Sequence, residues 1–100
     1  MQTFIGLISL QADAGSAAGA YRDALGEGAP ETRKVIEDHG GKLVEIYLTM
    51  GQYDSVAVMQ FPDAVTCAQA ILALREQFGL GTQTLQAFPE SQWPEVAKGI

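Results

Sequence analysis

The residues able to do chemistry gather in one short stretch, Glu45-Ile46-Tyr47-Leu48-Thr49-Met50-Gly51-Gln52-Tyr53-Asp54. Asp54 beside Thr49 has the makings of a general base or a carboxylate that orients a ligand. The same side chain can instead accept backbone N–H groups at a turn, the ordinary work of an Asp in that setting. Tyr47 offers a phenol to orient a substrate oxygen, or a large flat side chain for core or interface packing. Glu45 adds a second carboxylate that, with Asp54 and the phenol, would suit a cation or a proton relay. Without a nearby His the pair is a poor metal signal, and we expect no metal and no cofactor; a Glu at the rim of a dimer accounts for Glu45 equally well. Outside this stretch, His39 falls at the end of a helical pattern, where the helix dipole favours a cation, so it reads as a cap or as a catalytic base. Cys67 has no basic neighbour to favour a thiolate and reads as a small buried hydrophobe. No nucleophile stands next to a base and no phosphate loop is present. Whether the protein is an enzyme is left open by these residues.

The elements that must hold this stretch form a hairpin. Leu43 to Met50 and Tyr53 to Phe61 are rich in Val, Ile, Tyr and Met, with Gly51-Gln52 between them, the pattern of two strands joined by a tight type II′ turn. Met50 facing Tyr53 sets the pairs Thr49 with Asp54, Leu48 with Ser55, Tyr47 with Val56, Ile46 with Ala57 and Glu45 with Val58. Alternation then puts Val44, Ile46, Leu48, Met50, Tyr53, Ala57 and Met59 on a core face. Glu45, Tyr47, Thr49, Asp54, Val56, Val58 and Gln60 go to the other. Tyr47 and Tyr53 fall on opposite faces unless a bulge intervenes, Tyr53 packing under a helix with its hydroxyl at the rim.

Around the hairpin, Thr3 to Leu10 is a nearly continuous apolar run, the pattern of a central strand covered on both faces, in which Gly6 leaves room for something bulky. Gln11 to Gly28 is rich in Ala and Gly; it reads as a surface connection or as a flap over a pocket, with about two helical turns over Ser16 to Leu25 and Ser16 as N-cap. Tyr21 and Arg22 are its large side chains. Pro30 to His39 is a helix with a buried stripe of Thr32, Val35, Ile36 and His39, an Arg33–Glu37 surface pair and Gly40 as left-handed cap. Asp63 caps a second helix to Phe78, stopped by Gly79, with an apolar stripe expected from Ala64, Cys67, Ala68, Ile71, Leu72 and Phe78. Gly81 to Phe88 returns as a strand, and Ser91 to Lys98 follows as a short helix that Trp93 pins to the body.

Strand, helix, strand, strand, helix, strand is the βαββαβ order of an α+β, ferredoxin-like domain: an antiparallel sheet with both helices on one face. The motif Met50-Gly51-Gln52-Tyr53-Asp54 after Tyr47 and Thr49, with Gly40-Gly41-Lys42 before it, Pro62-Asp63 after it, and Thr82, Thr84, Leu85, Ala87 and Phe88 near the end, resembles the GYD-domain family. The resemblance covers the chain from Thr3 to Trp93. It implies one ferredoxin-like domain over residues 1–100, related to dimeric α/β barrels, and assigns no activity.

Composition narrows the rest. One hundred residues, 47% of them apolar, suffice for one core without a staple. A net charge of −6 with six Lys and Arg is the reverse of a nucleic-acid footprint. A single cysteine fits a reducing cytoplasm. The apolar start, Met1 to Leu10, lacks a basic leader, and no run approaches the ~20 apolar residues of a membrane span, so a cytoplasmic protein with no membrane or nucleic-acid partner is expected. A sheet with helices on one face leaves Tyr47, Val56 and Val58 uncovered, which predicts a homodimer or higher oligomer. Three functions fit: a homo-oligomer binding a small organic molecule through Glu45, Tyr47, Thr49, Tyr53 and Asp54; a cofactor-independent oxygenase or isomerase of a hydrophobic substrate with Asp54 or His39 as base; and a non-catalytic assembly or interaction module.

Overall fold

A computed structural model describes residues 1–10 and 20–100. In chain order the elements are β1 (Gln2–Ser9), α1 (Ala20–Glu27), α2 (Pro30–Asp38), β2 (Lys42–Leu48), β3 (Ser55–Phe61), α3 (Ala64–Phe78), β4 (Gly81–Ala87), a 3-10 turn (Glu90–Gln92) and α4 (Trp93–Lys98). The strands form one antiparallel sheet in the order β2-β3-β1-β4, compatible with the ferredoxin-like arrangement. The apolar β1 takes a central place, as its run of hydrophobics requires. Half of the expected flap, residues 11–19, lies outside the described residues, Ser16 among them; in its described half α1 begins at Ala20 and continues to Glu27.

The core lies between one face of the sheet and helices α2 and α3. Phe4, Ile8, Ala57, Met59 and Phe61 supply the sheet side, and Val35, Ile36, Cys67, Ala70 and Leu74 the helix side. Phe61 and Ile36 are wholly buried, each gaining about 1.5–3 kcal/mol from leaving water. Phe61 meets Phe4 edge to face at a centroid distance of 6.1 Å. The room left by Gly6 is taken by Met59, whose Cε would stand 3.1 Å from a Cβ there.

Helix α2 buries Val35 and Ile36 with Thr32 and His39 at the margin, the expected stripe. Gly40 follows at φ +79°. The ion pair found on its exposed side joins Lys34 to Asp38 at 2.9 Å, in place of the expected Arg33–Glu37 pair, and this contact raises the Lys34 pKa. Asp63 caps α3 by accepting from Thr66 N–H at 2.8 Å, and Gly79 ends it at φ +65°. The inward stripe of α3 is Cys67, Ala70 and Leu74, all buried, with the partly buried Ile71, spaced i, i+3, i+4, i+7. Ala64, Ala68, Leu72 and Phe78, expected in the stripe, are exposed. The expected stripe is a neighbouring phase of the same helix, because the apolar arc of α3 is wide and periodicity alone does not fix which part of it is buried.

The hairpin register is the expected one from Leu48↔Ser55 to Glu45↔Val58, and Thr49 N–H donates to the Asp54 carbonyl at 3.0 Å. Two features differ. The strands stop at Leu48 and resume at Ser55, so residues 49–54 form a loop, wider than the expected two-residue turn, with Met50 fully exposed at its tip. A bulge between Leu43 and Glu45 then shifts the phase of β2. Leu43, left off the expected core face, is buried, and Val44, placed on it, is 46% exposed. A bulge adds one residue to one strand and so reverses every assignment beyond it.

Near the base of the hairpin, Gly41 lies against Phe61. A Cβ at Gly41 would stand 2.5 Å from the ring and 2.9 Å from the Gln60 carbonyl oxygen. Gly41→Ala should therefore lower stability by about 1–3 kcal/mol. Gly26, helical in α1 with open space around it, should gain about 0.5–1 kcal/mol as Ala. Urea unfolding midpoints of the two variants check both signs.

Candidate functional site

The loop that joins β2 to β3 is held by its own side chains. Thr49 Oγ1 donates to the Tyr53 carbonyl at 2.6 Å, closing the loop across its neck. Asp54 N–H donates to the Ile8 carbonyl at 2.8 Å, and the Asp54 carboxylate accepts from Leu10 N–H at 2.6 Å. One residue thereby ties the hairpin to the end of β1 through both main chain and side chain. The backbone N–H that Asp54 receives comes from Leu10, just past the end of β1 and far away in sequence, and not from its own turn.

Tyr53 does not pack under a helix. Its hydroxyl donates to Gln83 Oε1 on β4, and Gln83 pairs with Leu7, which also pairs with Val56. Tyr53 therefore reaches the side of the sheet away from the helices, the side that carries Tyr47. Residues 49–54 leave the strand conformation, so strict alternation could not be extended from β3 to Tyr53. Gln83 went unnoticed in the sequence; the β1–β4 register identifies it.

Beside this loop opens a groove of about 570 Å³ between the hairpin end of the sheet and the start of α2, bordered by Ile8, Leu10, Leu25, Tyr47, Asp54 and Phe78 among others. Of the residues singled out in the sequence, Tyr47 and Asp54 border it; Thr49, Tyr53 and Glu45 do not. Tyr47 is 56% exposed. Glu45, exposed on the edge strand, accepts from the N–H of Ile46 at 3.1 Å. His39 stands apart, its Nδ1 donating to the Val35 carbonyl at 2.8 Å at the end of α2. No His, Cys, Asp and Glu grouping able to hold a metal occurs among the described residues.

The sheet face opposite the helices carries Ile5, Leu7, Tyr47, Val56, Val58 and Leu85, none of them fully buried; Tyr47, which also borders the groove, and Leu85 are both more than half exposed. The GYD domain model matches residues 7–97. The chain belongs to the GYD-domain family. A relative from Thermus thermophilus, named glutamine synthetase and cystathionine beta-lyase binding protein, is 34% identical over 89 residues, covering 89% of this chain and 90% of the relative. No solved structure matches this GYD domain. None of its described helices is long and apolar enough to cross a membrane.

Cys67 is 2% exposed, and burial pushes its thiol up to about 11. In the folded GYD domain it should resist alkylation at neutral pH and react only on unfolding, a contrast that mass spectrometry reads directly. Because the folded value exceeds the unfolded one, the thiol's contribution to stability is complete below pH ~8.5 and lost as pH rises towards the folded value. Replacing Leu10's partner, Asp54→Ala should cost about 1–2 kcal/mol in urea unfolding, whereas Asp54→Asn, which keeps an acceptor, should cost less.

Proposed function

We propose that this GYD domain is a self-associating protein-interaction module, two copies meeting through the helix-free sheet face and the assembly engaging a metabolic enzyme. The observation that carries the reading is that face itself. An antiparallel sheet with one solvated side normally alternates apolar with polar residues, yet β3 presents Val56 and Val58 on its outer side and Ala57, Met59 and Phe61 on its inner side. Contiguous apolar surface of this kind marks an interface. A pair of such domains, sheet against sheet, is the dimeric α/β-barrel type of assembly. The relative's name supports the second half of the reading, since it describes a protein that binds two enzymes.

The groove beside Asp54 favours a second reading, a small organic ligand held between Tyr47 and Asp54. Thr49, Tyr53 and Glu45 would then shape the loop and the seam of the dimer and not touch the ligand. Catalysis with Asp54 or His39 as base finds less support, because the Asp54 carboxylate is engaged by Leu10 N–H and the His39 ring by the Val35 carbonyl.

Light scattering should give twice the monomer mass at micromolar concentration, and Val58→Lys should give a monomer with an unchanged circular dichroism spectrum. A wild-type monomer would remove self-association. Calorimetric titration against purified glutamine synthetase and cystathionine beta-lyase tests the client separately: binding to either at micromolar Kd is expected, and the absence of binding to both would remove the enzyme-binding half alone.

A further inference from the structure

Beyond β4 the chain continues as an arm, Phe88 to Ile100, in which every residue is exposed. The arm is nonetheless ordered by bonds within itself. Gln92 N–H donates to the Pro89 carbonyl at 2.8 Å, Trp93 Nε1 to the Phe88 carbonyl at 2.9 Å, and Gly99 N–H to the Val96 carbonyl at 3.2 Å, while Lys98 pairs with Glu95 at 3.3 Å. Trp93, expected to pin this helix to the body, is 59% exposed and makes its hydrogen bond inside the arm. Trp93 and Val96 follow at i and i+3 in α4, and Ile100 stands two residues beyond the helix end, the three making one apolar stripe along the arm. All three are at least half exposed, as is Phe88 at the arm's root. A helix as short as α4 (Trp93–Lys98) does not hold its shape in water by propensity alone; packing of an apolar stripe is what normally secures it.

We infer that the arm is an exchange clasp: each copy lays its Trp93, Val96 and Ile100 stripe on the other copy. This rests on the self-association proposed above and names the element that secures it. Two considerations select a second copy as the occupant. The first is area. One strand of eight residues and three of seven, at ~4.8 Å between strands and ~3.4 Å per residue, present a face of only ~470 Å². A stable interface needs ~800 Å² from each partner. The sheet face alone falls short, and an arm bringing two aromatic and two aliphatic side chains supplies surface of the missing size, an aromatic burying ~150–250 Å². The second is continuity. The arm leaves the edge strand β4 directly after Leu85 and Ala87, whose register with Ile5 and Thr3 puts them on the helix-free side. In a two-fold dimer each arm and each face recur on both copies, so a single contact repeated twice covers both exposed surfaces.

Trp93 is the chain's one tryptophan, so its fluorescence reports the arm alone. Acrylamide quenching of wild type, followed across the concentration range over which light scattering shows dimer formation, should weaken several-fold as the dimer forms. Val96→Glu, which leaves the reporter in place, should raise the dimer Kd about tenfold or more, equivalent to at least ~1.4 kcal/mol, with circular dichroism unchanged. A dimer in which Trp93 is quenched as readily as in the unfolded chain, protection that does not depend on concentration, or an unaltered Kd in Val96→Glu would each overturn the clasp while sheet-to-sheet association stands. A wild-type chain that stays monomeric would overturn both.

Discussion

Strand β3 is apolar on both of its sides, and the fold provides helices for only one. Ala57, Met59 and Phe61 alternate into the space beneath α2 and α3, so Val56 and Val58 must alternate out of it. No adjustment of side chains relieves this, because a one-residue shift of register would expose Phe61 and Met59 in exchange. The uncovered face is thus a direct consequence of the core that stabilises the domain, and the same strand that anchors the interior creates an apolar surface that no helix covers.

Much of the fold was legible because hydrophobic alternation, glycine positions and the Asp63 cap all point the same way. The register from Glu45 to Leu48 could be read by counting outward from Gly51, and counting works through any loop of even length centred there. It failed where the backbone leaves the regular pattern. The bulge near Val44 interchanged Val44 and Leu43, and nothing in the residue types announces a bulge. Helix α3 was placed correctly and turned to the wrong phase, since Leu74 and Leu72 are equally good apolar candidates until the sheet decides between them.

The site was legible in part, for a related reason. Residue types drew attention to Tyr47 and Asp54, and both border the groove. What they touch was hidden, because the partners of Asp54 and Tyr53 come from β1 and β4: a backbone N–H at Leu10 and a glutamine at position 83. A main-chain donor leaves no trace in residue chemistry, and Gln83 becomes a candidate only once the strand order is known. Trp93 shows the converse error. A large aromatic near the end of a chain suggests an anchor to its own domain, yet here the ring is bonded within a projecting segment.

The irregularity at Val44 also bears on how this sheet meets strangers. Both β2 and β4 are edges, and an edge with regular, unpaired backbone groups templates the addition of further strands. The extra residue in β2 disrupts that spacing midway along one border, so it is a poor seed for fibrillar growth. On the opposite border, β4 exposes Gln83, Thr84 and Gln86, polar side chains that give an incoming strand little apolar surface to bury. Both margins of the sheet are thereby poor templates for further strands, even though one of its faces is apolar and free of helices.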